Sequence, residues 1–143
     1  NIAAGISHTV WEGRLQVISE DPLIIVDGAH NPDGARALAS FLDTIPRYDV
    51  LVFATKKGKD ISDMERLIIP LFSEVIITEG SFMPEKAEVL AQKVHLIHST
   101  VRMEKNIAAA IESAKTLVPK GGTIVITGSL YMIADVLTYF KAV

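Results

Sequence analysis

The chain has 143 residues, 49% of them hydrophobic, which is enough for one domain with a substantial core and too little for two comfortable ones. Its 14 basic and 17 acidic residues leave a formal charge of −3, and no basic stripe interleaved with aromatics offers phosphates a track, which argues against a nucleic-acid partner. Cysteine is absent, so disulfides, thiolate catalysis and cysteine-ligated metals are excluded.

No apolar run approaches the ~20 residues of a membrane span, and no signal peptide is visible, so a cytoplasmic location without membrane contact is expected. The sequence opens on Asn1 and enters a motif almost at once. This sets the expectation that residues 1–143 are a single domain belonging to a larger protein.

In chain order, strands are predicted at Leu15–Ser19 and Leu23–Asp27, separated by only three residues and therefore antiparallel. Asn31 as N-cap and Pro32 at the first helical position open a helix whose buried stripe is Ala35, Leu38, Ala39 and Leu42. A strand at Asp49–Ala54 follows. Ser62 and Glu65 form a capping box for a short helix that Pro70 should end. After a strand at Glu74–Thr78, Pro84 is expected to open a helix carrying Ala87, Leu90 and Ala91 on one face. A fifth strand is placed at Val94–His98. Ile107, Ile111, Ala114 and Val118 then mark a longer helix, Thr123–Thr127 a last strand, and Leu130 to Phe140 a last helix. The alternation predicts an α/β, three-layer, Rossmann-like domain with a mostly parallel six-stranded sheet and an antiparallel strand near the amino terminus.

Ligands of such sheets bind beyond the carboxyl ends of the strands. Three polar loops fall there: Asp27-Gly28-Ala29-His30-Asn31-Pro32, Lys56-Lys57-Gly58-Lys59-Asp60, and Thr127-Gly128-Ser129. Each also has a plain structural explanation, as a turn, a cap or a solvated lysine loop. Their coincidence on one edge points to an anionic ligand, with Gly28 and Gly128 allowing close backbone approach and Lys59 adding a cation. No G-x-x-x-x-G-K-[ST] or G-x-G-x-x-G loop follows any strand, so the chain cannot cradle a triphosphate alone. His8, His95 and His98 lack the companions of a metal site, and no metal ligand is expected in this chain.

The order Trp11-Glu12-Gly13-Arg14, a strand, then Asp27-Gly28-Ala29-His30-Asn31-Pro32 resembles the opening of the carboxy-terminal domain of folylpolyglutamate and dihydrofolate synthases, relatives of the Mur ligases. Lys59-Asp60-Ile61 resembles the second half of that family's Asp-Lys-Asp loop, and Gly128-Ser129-Leu130-Tyr131 its Gly-Ser-Leu-Tyr element. The sequence departs from the pattern at Glu12, where proline is usual, at Gly58, where the first Asp of the loop is usual, and at Pro84-Glu85-Lys86-Ala87, which stands for a Pro-Arg-Ala step.

The resemblance implies an ATP-dependent ligase that joins L-glutamate to a folate through an acyl phosphate, and an isolated domain that is inactive. It implies Arg14 on the ATP phosphates, Asp27 on the ribose hydroxyls, and His30 and Asn31 beside the nucleotide, with His30 the catalytic candidate. Lys59 and Ser129 would take the carboxylates of glutamate, and Trp11 would line the cleft or pack at the domain edge. The phosphate loop, the Mg²⁺ ligands and most of the folate site would belong to an amino-terminal ATPase domain. The alternatives are a dihydrofolate synthase or bifunctional enzyme, another Mur-type amino-acid ligase, or a non-catalytic nucleotide- or anion-binding module.

Overall fold

In a computed structural model of the chain, residues 15–28, 32–45, 47–58 and 66–142 are described. Among them, β1 (Gln16–Glu20) and β2 (Leu23–Asp27) form an antiparallel pair, and β2 leads to helix α1 (Pro32–Leu42). Then come β3 (Val50–Phe53), a 3-10 turn at Ile69–Leu71, β4 (Glu74–Ile77), α2 (Ala87–His95), β5 (Val101–Met103), α3 (Ile107–Leu117), β6 (Thr123–Thr127) and α4 (Leu130–Ala142). The strands form one six-stranded sheet in the order β1-β2-β6-β3-β4-β5. All neighbours except β1 and β2 are parallel, as the alternation of the sequence predicts.

The period-two geometry of a strand sorts the apolar residues into two cores. On one face Ile25, Leu51, Phe53, Val75 and Ile77 meet Leu38 and Leu42 of α1 and Leu90 and Val94 of α2. On the other, Ile24, Val26, Val52, Ile76, Ile124 and Ile126 meet Ile107, Ile111 and Ala114 of α3 and Met132, Ile133 and Val136 of α4. Helices therefore cover both faces, giving three layers. Each fully buried Leu, Ile or Phe contributes about 1.5–3 kcal/mol against conformational entropy.

Two expectations are corrected. Val94–His98 is not a strand: Val94 and His95 close α2, and the fifth strand is Val101–Met103. Ala87, Leu90 and Val94 continue one helical stripe at i, i+3 and i+7, and that stripe outweighs the local apolar alternation of Val94 with Leu96. Leu96 is 86% exposed, whereas Val94 is fully buried. Nor does Pro84 open α2; it pairs with Lys56 in an isolated antiparallel bridge, and the helix starts at Ala87.

The other departures are small. The first strand begins and ends one residue later than predicted and carries a register shift between Val17 and Ser19. Residues 66–68 are helical and pass into the 3-10 turn that contains Pro70, consistent with proline ending the helix there. The proposed caps Asn31 and Ser62 lie outside the described residues. Asn106 is the cap of α3, its side chain accepting from the Ala109 N–H at 2.8 Å. His98 is held by backbone: the Thr100 N–H donates to Nδ1 at 3.0 Å, which leaves Nε2 as the ring donor, 2.6 Å from the Phe72 carbonyl oxygen.

Candidate functional site

The five parallel strands end on one edge. There β6 returns from the far side of the sheet to lie between β2 and β3, reversing the strand order, which is where open α/β sheets form a ligand crevice. Register places Asp27 of β2 beside Thr127 of β6, and Thr127 beside Phe53 of β3. Asp27 is only 6% exposed. A carboxylate so deep at a strand end is costly unless hydrogen-bonded, and Asp27 does have a partner in the fold. Thr78 Oγ1 and Thr127 Oγ1, at the ends of β4 and β6, are buried with no hydrogen-bond partner among the described residues.

Beyond β6 the chain turns through Gly128 at φ +124°, a conformation side chains rarely adopt. Ser129 follows, 5% exposed, and caps α4: its Oγ accepts from the Tyr131 N–H at 3.1 Å. The hydroxyl keeps its own proton to donate. No acidic residue occupies the first turn of α4, so the positive end of its dipole is not offset from within the helix.

Two further loops meet this turn. Lys56 and Lys57 lie after β3, with the Lys57 N–H donating to the Met83 carbonyl at 2.8 Å and the Glu85 N–H to the Thr55 carbonyl at 2.9 Å. The Lys56 Nζ stands 5.4 Å from the centre of the Tyr131 ring, and that ring is 4.5 Å from Phe82. Such a cation over a ring face is attracted by its quadrupole. The loop after β4 is in turn tied to α4: both Ser81 N–H and Oγ donate to Asp135, at 2.8 and 2.7 Å. One wall of a cleft of about 430 Å³, lined also by Glu79, Lys105 and Asn106, is formed by this contact.

On the outer face of α3 and α4, two side chains titrate as a pair. The Tyr139 hydroxyl donates to Glu112, which with the nearby Lys115 ammonium holds the Glu112 carboxyl below its ordinary value; the same hydrogen bond pushes the Tyr139 phenol up. Among the described residues no three His, Asp or Glu side chains converge on a metal position.

Residues 13–130 match the family described as Mur ligase, glutamate ligase domain. The chain belongs to that family. It is 32% identical over 137 residues to the folylpolyglutamate synthase of Lacticaseibacillus casei, covering 95% of this chain and 31% of that protein. The fold superposes with TM-score 0.85 and 31% identity on the Mycobacterium tuberculosis folylpolyglutamate synthase complexed with ADP and AMPPCP, over 96% of this chain and 34% of that one. It also resembles, at TM-score 0.82 and 26% identity, a bifunctional folylpolyglutamate synthase/dihydrofolate synthase with Mn, AMPPNP and L-glutamate bound, over 94% of this chain and 32% of that one. The chain thus spans about a third of the length of these relatives.

Of the site residues expected from the sequence of this glutamate ligase domain, Asp27 and Ser129 come to the same edge, on β2 and just after the adjacent β6. Arg14, His30, Asn31 and Lys59, with Trp11, lie outside the described residues. The sequence reading missed Ser81 and Asp135, and the pairing of Lys56 with Tyr131. Ser81 and Asp135 are 54 positions apart, and nothing local to either announces the contact.

Proposed function

We propose that this chain is the carboxy-terminal, glutamate-receiving domain of an ATP-dependent folylpolyglutamate synthase, acting in the cytoplasm with an amino-terminal ATPase domain of the same protein. The observation that carries the reading is the convergence of buried Asp27 with the Gly128-Ser129 turn at the strand-order reversal, in a chain of the glutamate ligase domain family.

The residues present fit part of a nucleotide and not all of it. A buried carboxylate at the end of β2 suits ribose hydroxyls, and the Gly128 turn lets a ligand reach backbone, but no phosphate loop occurs in the sequence. ATP would supply the phosphoryl group that activates the folate-side carboxylate as an acyl phosphate, with Mg²⁺ held by the amino-terminal domain. In this domain Arg14 would neutralise phosphate charge through its guanidinium fork, and Asp27 would orient the nucleoside. His30 and Asn31 would line the reacting cleft. Lys59 and the Ser129 hydroxyl, aided by the amino-terminal dipole of α4, would hold the glutamate carboxylates so that its amine meets the activated carbonyl. Water exclusion would require closure of the two domains.

The test is ADP release by the full-length protein with ATP, Mg²⁺ and a reduced folate, with and without L-glutamate. Release that depends on glutamate supports the proposal; release indifferent to glutamate, or none, counts against it. A second reading, dihydrofolate synthase or a bifunctional enzyme, is favoured by the bifunctional relative above. Turnover with dihydropteroate in place of the folate separates the two.

A further inference from the structure

We infer that Asp135 is a positioning residue for the incoming amino acid, acting through Ser81 to hold the loop after β4 against the first turn of α4. The inference rests on the reading of this edge as the glutamate site.

Loop 79–86 is tied down along its length. Glu79 accepts from the Ala87 N–H at 2.8 Å, taking the capping role that the Lys86 side chain does not fill. At the other side the Lys56–Pro84 bridge joins the loop to the end of β3. Between these, Asp135 takes both donors of Ser81 on its two carboxylate oxygens. The fit is close at Gly80, where an added Cβ would lie 3.2 Å from Asp135 Oδ2 and 3.3 Å from the Met132 Cα.

What this clasp holds in place is not core. Phe82 and Met83 are about half exposed, as are Leu130 and Tyr131 across from them, and Met83 sits at φ 43°, a conformation that costs free energy outside glycine. A loop that exposes Phe82 and Met83, strained at Met83 and fixed by hydrogen bonds at three places, is not explained by core packing. Its ring contact to Tyr131, and the Lys56 ammonium over that ring, make a lip with one cationic and one apolar component. Tyr131 is the residue whose N–H binds Ser129 Oγ, so the lip and the Ser129 hydroxyl share one turn of helix. A ligand with carboxylates and a short aliphatic stem suits that combination, and a displaced loop would loosen its hold on such a ligand before it touched the nucleotide.

The experiment is steady-state kinetics on the full-length protein carrying Asp135→Asn, Ser81→Ala, or both. Asp135→Asn is expected to raise the KM for L-glutamate about tenfold, with kcat and the KM for ATP within about twofold of the parent. Ser81→Ala, which keeps the backbone donor, should raise it less. The double variant should be no worse than Asp135→Asn, because the two side chains act as one unit. A glutamate KM unchanged in folded Asp135→Asn, or rising equally for ATP, overturns the inference. If that variant does not fold, Ser81→Ala decides by the same criterion. Absence of glutamate-dependent turnover in the parent protein would instead sink the functional reading itself.

Discussion

The Ala54 carbonyl occupies the space a side chain on residue 128 would need: a Cβ built on Gly128 falls 2.0 Å from the Ala54 oxygen. The ends of β3 and β6 are thus in backbone contact, and the loops they launch are set by that contact. Gly128→Ala combines this clash with a φ of +124° and is expected to destabilise the fold by at least about 3 kcal/mol. Urea denaturation read by circular dichroism measures it; a midpoint close to that of the parent protein would contradict the geometry.

Ser129→Ala separates capping from binding. Loss of the bond to the Tyr131 N–H should cost about 1 kcal/mol. If Ser129 takes the proposed glutamate role, the glutamate KM of the full-length protein should rise as well. Ser129→Asn, which can still cap, should recover the stability without the affinity. If the two properties recover together, Ser129 serves only the helix.

If the proposed nucleotide roles hold, Arg14→Ala and Asp27→Ala in the full-length protein should each lower kcat/KM for ATP by about tenfold or more. Melting curves on the same variants check that each remains folded. Near-normal kinetics in both would remove these residues from the site.

The end of α2 gives a contrast two residues apart. Val94→Asp places a charge in the core and should prevent folding, whereas Leu96→Asp, at a position already 86% exposed, should change stability by no more than about 0.5 kcal/mol. Soluble expression and thermal melts distinguish them. Equal tolerance at both would mean that Val94 is not on the helix's buried face.

For Tyr139 and Glu112 the pH dependence has a definite sign. The Glu112 value is lowered in the fold, so its contribution is present above the ordinary 4.5 and lost as pH falls through the lowered value. The Tyr139 value is raised, so its contribution is present below the ordinary 10.0 and lost as pH rises through the raised value. Tyr139→Phe should therefore melt slightly below the parent at neutral pH, with the gap closing at both extremes. Because the pair is exposed, added salt should shrink the effect. A gap independent of pH would exclude the hydrogen bond as its cause.

Local rules carried the reading of the fold where they agreed with one another. Continuous apolar runs at β2, β3, β4 and β6 mark strands buried on both faces, and the stripes of α1 and α3 are legible at helical spacing. They failed around residues 94–103, where helix and strand patterns overlap and β5, three residues with an exposed Arg102 and Met103, carries almost no apolar signal of its own. The Pro84 reading failed because a proline suits an extended bridge as well as a helix start, and only the presence of Lys56 opposite it selects one.

By itself, the sequence determined the α/β class, the antiparallel opening pair and the short polar motifs that place the chain among glutamate ligase domains. These are properties of near neighbours: periodicity, turn chemistry and spacing within a few residues. Tertiary structure alone decided that β6 inserts between β2 and β3, bringing Asp27 and the Gly128-Ser129 turn to one edge. It alone put Asp135 against Ser81 and Lys56 over Tyr131. Those contacts join segments far apart in the chain, and their partners are chosen by the packing of two helical layers on a sheet, which no local pattern encodes.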